Sequence, residues 1–208
     1  MTLRLGDIAP NFQQESSEGK IDFYEFLGNH WGILFSHPAD FTPVCTTELG
    51  FTAKLKDEFT KRGVKAIALS VDDVESHKSW IQDINETQNT TVNFPIIADL
   101  NMAVARAYGM VQPGASDTSA VRATFLIDLN GVLRAMLYYP MSNGRSVAEI
   151  LRLVKALQTT DSNVCATPEN WQPGDEVIVP PPATTQAAEA RKDEGYNYVD
   201  WYFSKRPL

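Results

Sequence analysis

The sequence predicts an α/β domain built on a mixed central sheet. Short apolar runs alternate with segments of helical periodicity over the first 160 residues, and this alternation is typical of parallel strands joined by helices. Near the end of this region Asn130-Gly131 separates two apolar runs, which is a strong signal for a β-hairpin and hence for antiparallel strands. The sheet should therefore contain both parallel and antiparallel neighbours.

The elements of this domain follow one another in a regular order. Three short, bounded apolar runs have the length and content of buried strands: 31–35, 64–71 and 94–99. Four segments carry helical spacing or a helix start signal: 51–59, 74–85, 102–108 and 146–157. The last of these opens on Ser-x-x-Glu, the pattern of a capped helix.

The composition changes beyond about residue 160. The stretch "TPENWQPGDEVIVPPPATTQ" is rich in proline and threonine, which is typical of an extended arm. The final stretch "YNYVDWYF" is so aromatic that exposure to water would be costly, and it should pack on its own chain or on a second subunit. We therefore expect a domain over residues 1–160 and a C-terminal arm or small dimerisation domain over residues 161–208.

Charge and cysteine content exclude several classes of protein. The net charge is −8 and the isoelectric point about 4.9, so neither nucleic acids nor anionic membrane surfaces are expected partners. No apolar run of 18 residues is present, and the N-terminal residues lack the apolar core of a signal peptide. Two cysteines 120 positions apart (45 and 165) make no disulfide framework, which predicts a reducing, cytoplasmic location.

One cysteine lies in the stretch "SHPADFTPVCTTELG". Pro43 suits the first position of a helix with Thr42 as its N-cap, so Cys45 should lie in the first turn. Unpaired N–H groups and the positive end of the helix dipole favour an anion there, such as a thiolate. From placement alone, a reactive thiol and a buried structural thiol both remain open. A fast enzyme would also need groups that stabilise charge in the transition state.

Other chemistries of this cysteine are less well supported. His37 precedes Cys45 by eight residues in the same loop, whereas cysteine-histidine hydrolases rarely place their base so close to the nucleophile. His30, His37 and His77 together with two distant cysteines lack a metal-ligand spacing. We therefore expect no metal and no cofactor.

The spacing Pro38-x-x-x-Thr42-x-x-Cys45 resembles the active-site motif of the peroxiredoxins, which are thiol peroxidases. The longer string "FSHPADFTPVCTTELG" is similar to the one-cysteine subfamily that bears a long C-terminal arm, and further matches run along the whole chain: "LGDIAPNF", "VKAIALSVD", "FPIIAD", "NGR" and "ATPENWQPGDEVIVPP". This resemblance implies a thioredoxin-like fold, with a mixed central sheet flanked by helices and followed by a C-terminal extension.

The resemblance also implies roles for individual residues. Cys45 would be the peroxidatic nucleophile, Thr42 would hydrogen-bond the peroxide, and Pro38 would shield the site from water. Arg122 matches the arginine of the family's Arg-x-x-Phe strand and would stabilise both the thiolate and the departing oxygen. Without the resemblance, Arg122 would be interpreted as a surface ion-pair partner and Pro38 as an ordinary loop residue. Three further residues match subfamily positions and would support these four: His37, Glu48 and Arg145.

Two positions depart from the family pattern. Some members carry a lipase-like Gly-x-Ser-x-Gly, whereas this chain has "GNHWG" with His30 in place of the serine, which argues against a phospholipase-type second activity. Two-cysteine members place a resolving cysteine shortly before a tryptophan. Counted back from Trp171, Cys165 lies about two residues earlier than that position. We favour an incidental thiol at Cys165, with the resolving role as the alternative. The oxidised Cys45 would then need an external thiol: glutathione with a helper enzyme, thioredoxin or another small reductant.

The expected function is reduction of hydrogen peroxide and small organic hydroperoxides through a sulfenic acid at Cys45, in antioxidant defence and redox homeostasis. One alternative is a peroxide sensor or redox-switched holdase that uses the same cysteine without efficient turnover, and another is a thioredoxin-like module with an inert thiol. The resemblance implies a homodimer and possibly a ring of dimers, with the C-terminal arm and the strand at 137–139 as interface material.

Overall fold

The computed structural model describes residues 3–116 and 118–208, and it confirms the α/β class. Two compact units divide the chain, one ending at Val147 and the other beginning at Ala148. The first unit holds a seven-stranded sheet with the order β2-β1-β5-β4-β3-β6-β7. Its strands are Gln13–Ser16 (β1), Gly19–Asp22 (β2), Trp31–Ser36 (β3), Val64–Ser70 (β4), Ile96–Ala98 (β5), Arg122–Ile127 (β6) and Leu133–Tyr139 (β7).

Helices join these strands. In the first unit they are Phe23–Leu27 (α1), Pro43–Lys54 (α2), Lys56–Lys61 (α3), Val74–Thr87 (α4) and Ala103–Ala107 (α5). The predicted segments 31–35, 64–71, 94–99, 74–85 and 102–108 all correspond to observed elements, with differences of one or two residues at their ends. The helix predicted over 51–59 divides between α2 and α3 at Leu55.

The sheet is mixed, as predicted. β3, β4 and β5 run parallel, whereas β6 is antiparallel to β3 and to β7. The Asn130-Gly131 hairpin joins β6 to β7, and Gly131 takes a φ of 75° in its turn. Every residue of β3 and of β6 is buried, because helices cover both faces of the centre of such a sheet.

Two register relationships bring distant residues to the end of β3. Phe35 pairs with Thr124 in the antiparallel β3–β6 ladder, so Arg122 lies level with His37, the first residue after β3. The carboxyl ends of the parallel strands β3, β4 and β5 also meet at this edge, which is where α/β sheets place their sites. The loop 37–42 therefore lies where the sheet can supply side chains from several strands.

The sequence patterns missed the first hairpin. β1 and β2 have the polar sequences QQES and GKID, so they lack the apolar alternation that marks a strand. α1 has only five residues, too few for a periodic signal. Its start is set by Asp22, whose carboxylate accepts hydrogen bonds from the N–H groups of Tyr24 and Glu25.

The second unit has its own small sheet and core. Its first helix is Val147–Ser162 (α6), of which all residues after Val147 belong to this unit. The other elements are Val177–Ile178 (β8), Thr185–Ala190 (α7), Asn197–Asp200 (β9) and Phe203–Arg206 (β10), with sheet order β8-β10-β9. Trp171 and Val177 form its buried cluster with Ala156, and Cys165 packs against that cluster. Tyr198, Val199, Trp201 and Tyr202 are 40–58% exposed in the single chain. Within the described residues, no helix has the length and apolar content needed to cross a membrane.

Candidate active site

The loop 37–42 leads from β3 into α2 and sets the position of Cys45. Thr42 has extended backbone angles (φ −113°, ψ 142°) as the N-cap, and Pro43 occupies the start of the helix, as the sequence predicted. The carbonyl of Thr42 accepts the N–H of Thr46 at 3.0 Å, which closes the first turn. Cys45 lies within that turn and is fully buried. The sulfur is therefore enclosed by protein at the positive end of a helix dipole.

The Thr42 hydroxyl does not cap this helix in the described structure. Its Oγ1 donates to the carbonyl of Ala39 at 2.9 Å, which closes a turn within the loop. The lone pairs of Oγ1 stay available to accept a hydrogen bond. A hydrogen bond donated by Thr42 to a bound peroxide would require the hydroxyl to leave Ala39.

Arg122 brings a permanent positive charge to the sulfur. Its Nη1 lies 3.1 Å from Cys45 Sγ and donates to Glu48 Oε2 at 2.9 Å. Its Nε donates to the carbonyl of Met141 at 2.9 Å, which fixes the direction of the guanidinium plane. The side chain is 4% exposed, so water screens this charge weakly.

Glu48 holds Arg122 and Arg145 together in the protein interior. Arg145 donates to Glu48 Oε1 from its backbone N–H at 2.7 Å and from Nε at 2.9 Å, and to Oε2 from Nη2 at 2.7 Å. Burial raises the pKa of the Glu48 carboxyl, but the hydrogen bonds and charge of Arg145 and the charge of Arg122 outweigh it. The pKa of Glu48 is therefore lower than usual.

The charged side chains of this cluster sum to one positive charge. Arg122 and Arg145 contribute two positive charges, and Glu48 contributes one negative charge. A thiolate at Cys45 would complete the balance, since Arg122 contacts both anionic partners. The cluster therefore places a buried positive charge in direct contact with the sulfur of Cys45.

His37 joins a second buried network, centred on Asp40. Asp40 Oδ1 lies 2.8 Å from His37 Nε2, and Oδ2 lies 2.7 Å from His77 Nδ1 and 2.9 Å from Ser76 Oγ. The opposite nitrogen of His77 lies 3.1 Å from the carbonyl of Ile97. Burial lowers the pKa of His37, although Asp40 opposes this effect. Burial raises the pKa of Asp40, but the hydrogen bonds and charges of both histidines outweigh this effect. The pKa of Asp40 therefore lies well below its usual range.

Atoms of His37, Asp40 and Asp72 lie within 4.8 Å of one another, as the ligands of a metal ion would. Asp72 Oδ2 accepts the N–H of Asp40 at 2.9 Å and the hydroxyl of Ser70 at 2.8 Å. Protein hydrogen bonds already use these carboxylates. We therefore describe this group as a hydrogen-bond network that joins the loop to β4 and α4.

Three further positions were singled out in the sequence: Pro38, His30 and Cys165. Pro38 is half-buried in the loop. His30, at the position of the lipase-like serine, contacts the carbonyl of Leu27 through Nδ1 at 3.1 Å and lines a cleft with Tyr24 and Asp128. Cys165 is a free, half-buried thiol of the second unit.

Sequence reasoning missed three contributors to the site. Asp40 is one acidic residue among many, and the Met141 carbonyl is a backbone group, so neither has a distinguishing sequence signal. Trp80 lies in α4 and is fully buried. Its Nε1 donates to Thr46 Oγ1 at 3.2 Å and its ring lies 4.9 Å from that of His37. Its helical spacing of three residues from His77 was the one available clue.

Comparisons with known proteins match nearly the whole chain. The model of the AhpC/TSA family matches residues 5–136, and the model of the C-terminal domain of one-cysteine peroxiredoxins matches residues 156–195. A peroxiredoxin of Aquifex aeolicus is 48% identical, with 99% of this chain and 97% of that protein covered. A one-cysteine peroxiredoxin of Dictyostelium discoideum is 46% identical, with 99% and 85% covered.

A solved structure of a yeast mitochondrial one-cysteine peroxiredoxin is also similar. It superposes with a TM-score of 0.89 at 46% identity, covering 100% of both chains, and it concerns thiol resolution through glutathione and thioredoxin systems. The similarity confirms the thioredoxin-like fold expected from the sequence.

Proposed function

This chain belongs to the peroxiredoxins, the AhpC/TSA family of thiol-dependent peroxidases, and we propose that Cys45 is the thiol through which it reduces peroxides. The observation that carries the proposal is the 3.1 Å contact between Arg122 Nη1 and Cys45 Sγ in a buried first helical turn. The expected substrates are hydrogen peroxide and small organic hydroperoxides. Their removal is the chemistry of antioxidant defence and redox homeostasis.

The reaction proceeds by attack of the Cys45 thiolate on one oxygen of the peroxide. A sulfur–oxygen bond forms as the O–O bond breaks, and the departing oxygen takes a proton to become water or an alcohol. Sulfur loses two electrons and becomes a sulfenic acid. Arg122 stays charged throughout, so it stabilises the thiolate first and the developing negative charge on the departing oxygen afterwards.

Other residues of the cluster prepare this step. Thr42 would hydrogen-bond the bound peroxide through its hydroxyl, and half-buried Pro38 would limit access of water. Glu48 and Arg145 would orient Arg122, since the carboxylate of Glu48 contacts both guanidinium groups. His37 would support the loop through Asp40.

An external thiol would return the sulfenic acid to the thiol state. Two reductant thiols supply the two electrons, leaving as a disulfide while the sulfenic oxygen departs as water. The yeast relative, for which glutathione and thioredoxin systems are described, supports one of these as the reductant here. We assign Cys165 no resolving role.

We further propose a cytoplasmic homodimer, with a ring of dimers as a larger form. The edge position of β7 and the exposed aromatic residues near Trp201 supply material for contact with a second copy. Residues 161–208 would form the dimerisation arm of a peroxidase domain over 1–160. Two free cysteines suit a reducing compartment, and because the yeast relative is mitochondrial, cell fractionation is the direct test of location.

The decisive experiment is addition of one equivalent of hydrogen peroxide, followed by a sulfenic-acid trap and mass spectrometry. We expect one adduct, on Cys45, and no adduct in a Cys45→Ser variant. Steady-state peroxide consumption with glutathione or thioredoxin then separates a peroxidase from a sensor, because a sensor is oxidised but not efficiently recycled. An unmodified Cys45 in the wild-type protein would refute the proposal.

A further inference from the structure

The loop that carries Pro38 and Thr42 contains a strained residue. Phe41 has a φ of 53°, a left-handed conformation that bulky residues adopt only when their surroundings enforce it. Its side chain is 57% exposed, so burial of the phenyl ring supplies little of that constraint. The ring of Phe41 lies 6.5 Å from that of Trp80, and the adjacent loop residue Asp40 is buried.

Asp40 attaches the loop to three other elements. Its backbone N–H reaches Asp72, which follows β4, and its carboxylate contacts Ser76 and His77 of α4. His77 in turn contacts the carbonyl of Ile97 in β5. Asp40, which directly precedes Phe41, thus connects the loop to α4 and to the residues after β4, and through His77 to β5.

Hydrogen-bond partners define the protonation of His77. A carbonyl oxygen only accepts, so the nitrogen that faces Ile97 carries a proton. A carboxylate at Asp40, which also accepts from Ser76, can only accept from the nitrogen of His77 that faces it. With that carboxylate ionised, both ring nitrogens of His77 would carry protons.

His37 has the opposite character. Its Nε2 donates to Asp40, whereas its Nδ1 has no hydrogen-bond partner within residues 3–116 and 118–208. Burial lowers the pKa of His37, so the ring is neutral.

From this arrangement we infer that Asp40 is a positioning residue of the peroxide-reducing site, acting as a carboxylate paired with a doubly protonated His77 to hold the loop 37–42 in its reactive geometry. The inference rests on the proposed function. Trp80, one helical turn beyond His77, provides a parallel link, since it contacts both His37 and Thr46. Release of Asp40 would free Phe41 to leave its strained conformation and would displace Thr42 and the first turn of α2.

The first test is direct observation of His77 in the wild-type protein. Nitrogen-15 NMR at neutral pH should show both ring nitrogens of His77 protonated, and His37 with one proton only. A His77 ring with a single proton would overturn the ion pair. This measurement needs no variant and no peroxide, so it stands apart from the outcome of the proposed function.

The second test compares Asp40→Ala with Asp40→Asn. The alanine variant should react with hydrogen peroxide roughly 10- to 100-fold more slowly, as displaced catalytic groups do, and the amides of residues 37–48 should exchange hydrogen faster. Asparagine can accept from His37 and donate to a singly protonated His77, so it should restore most of the rate while His77 loses one proton.

Asp128→Ala is the matched control. Asp128 is also a buried carboxylate with several hydrogen bonds, but it lies in the β6–β7 turn, at the other end of β6 from Arg122. Its variant should be less stable, with an unchanged rate. A folded Asp40→Ala protein that reacts at the wild-type rate would overturn the inference while leaving the proposed function intact. If Asp40→Ala does not fold, the NMR result on the wild-type protein and the Asp40→Asn variant carry the test. A slow Asp40→Asn protein whose amides 37–48 exchange at the wild-type rate would overturn the positioning role.

Discussion

Arg122 and Cys45 are 77 positions apart in the chain, yet Nη1 of the arginine lies 3.1 Å from the sulfur of the cysteine. The contact is buried, and the same nitrogen also donates to Glu48. A fixed positive charge therefore stands beside the sulfur before any substrate arrives. Such preorganised charge costs no rearrangement during reaction, which is why we expect it to dominate the rate.

Replacement of the two cysteines should have unequal effects. Cys45→Ser should abolish peroxide consumption, because a serine hydroxyl is neither ionised nor oxidised under these conditions. Cys165→Ser should leave consumption largely intact with both monothiol and dithiol reductants. Steady-state assays with a panel of reductants measure both. Loss of activity in the Cys165 variant with a dithiol reductant would contradict the one-cysteine assignment.

Arg122→Lys should slow the peroxide step by about 100-fold, in the range seen when one stabilising donor is lost. A lysine ammonium lacks the planar fork that lets Arg122 contact Cys45, Glu48 and the Met141 carbonyl together. Stopped-flow measurement of the second-order rate tests this. Arg152→Lys, which alters an arginine paired with Glu149 in the second unit, is the control and should be silent. An equal rate in Arg122→Lys and wild type would remove Arg122 from the site.

Glu48→Gln should lower the free energy of unfolding by roughly 3 kcal/mol, because it leaves two buried guanidinium groups without their carboxylate. Denaturant unfolding measures the change. Glu75→Gln removes the acid of an exposed pair with Lys78 and should cost less than about 1 kcal/mol. Similar losses in the two variants would mean that the buried cluster contributes no more than a surface pair.

Acid should destabilise the protein in two stages. Burial holds the pKa of His37 below its ordinary 6.5, so the unfolded chain binds a proton that the folded chain does not, and stability falls as the pH drops below about 6.5. The pKa of Glu48 is held below its ordinary 4.5. Its contribution is therefore present above pH 4.5 and disappears as the pH falls through the lower folded-state pKa.

Unfolding free energies measured between neutral pH and pH 3 would resolve the two stages. Glu48→Gln should reduce the slope of the second stage only, since it removes one of the carboxylates that titrate there. A His37→Gln variant should lose the first stage, and a first stage of unchanged size in that variant would contradict the role assigned to burial of His37.

Much of the fold follows from local signals. The apolar runs of β3 and β4 and the Asn130-Gly131 turn are properties of neighbouring residues, and each predicted the correct element. The β1–β2 hairpin was missed because both strands are polar and lack the apolar alternation that marks a strand. Asp22 at the start of α1 shows that even a short element has a local cause, but five residues are too few to reveal it.

The sequence by itself determined where the thiol lies, because Thr42 and Pro43 begin a helix through backbone preferences that need no distant partner. Only the tertiary structure decided what surrounds that thiol. The register of β6 against β3 brings Arg122 to the sulfur, and the packing of α4 sets His77 beside Asp40 across 37 positions. Such contacts depend on how strands and helices align in space, and the spacing of residues along a chain does not specify that alignment.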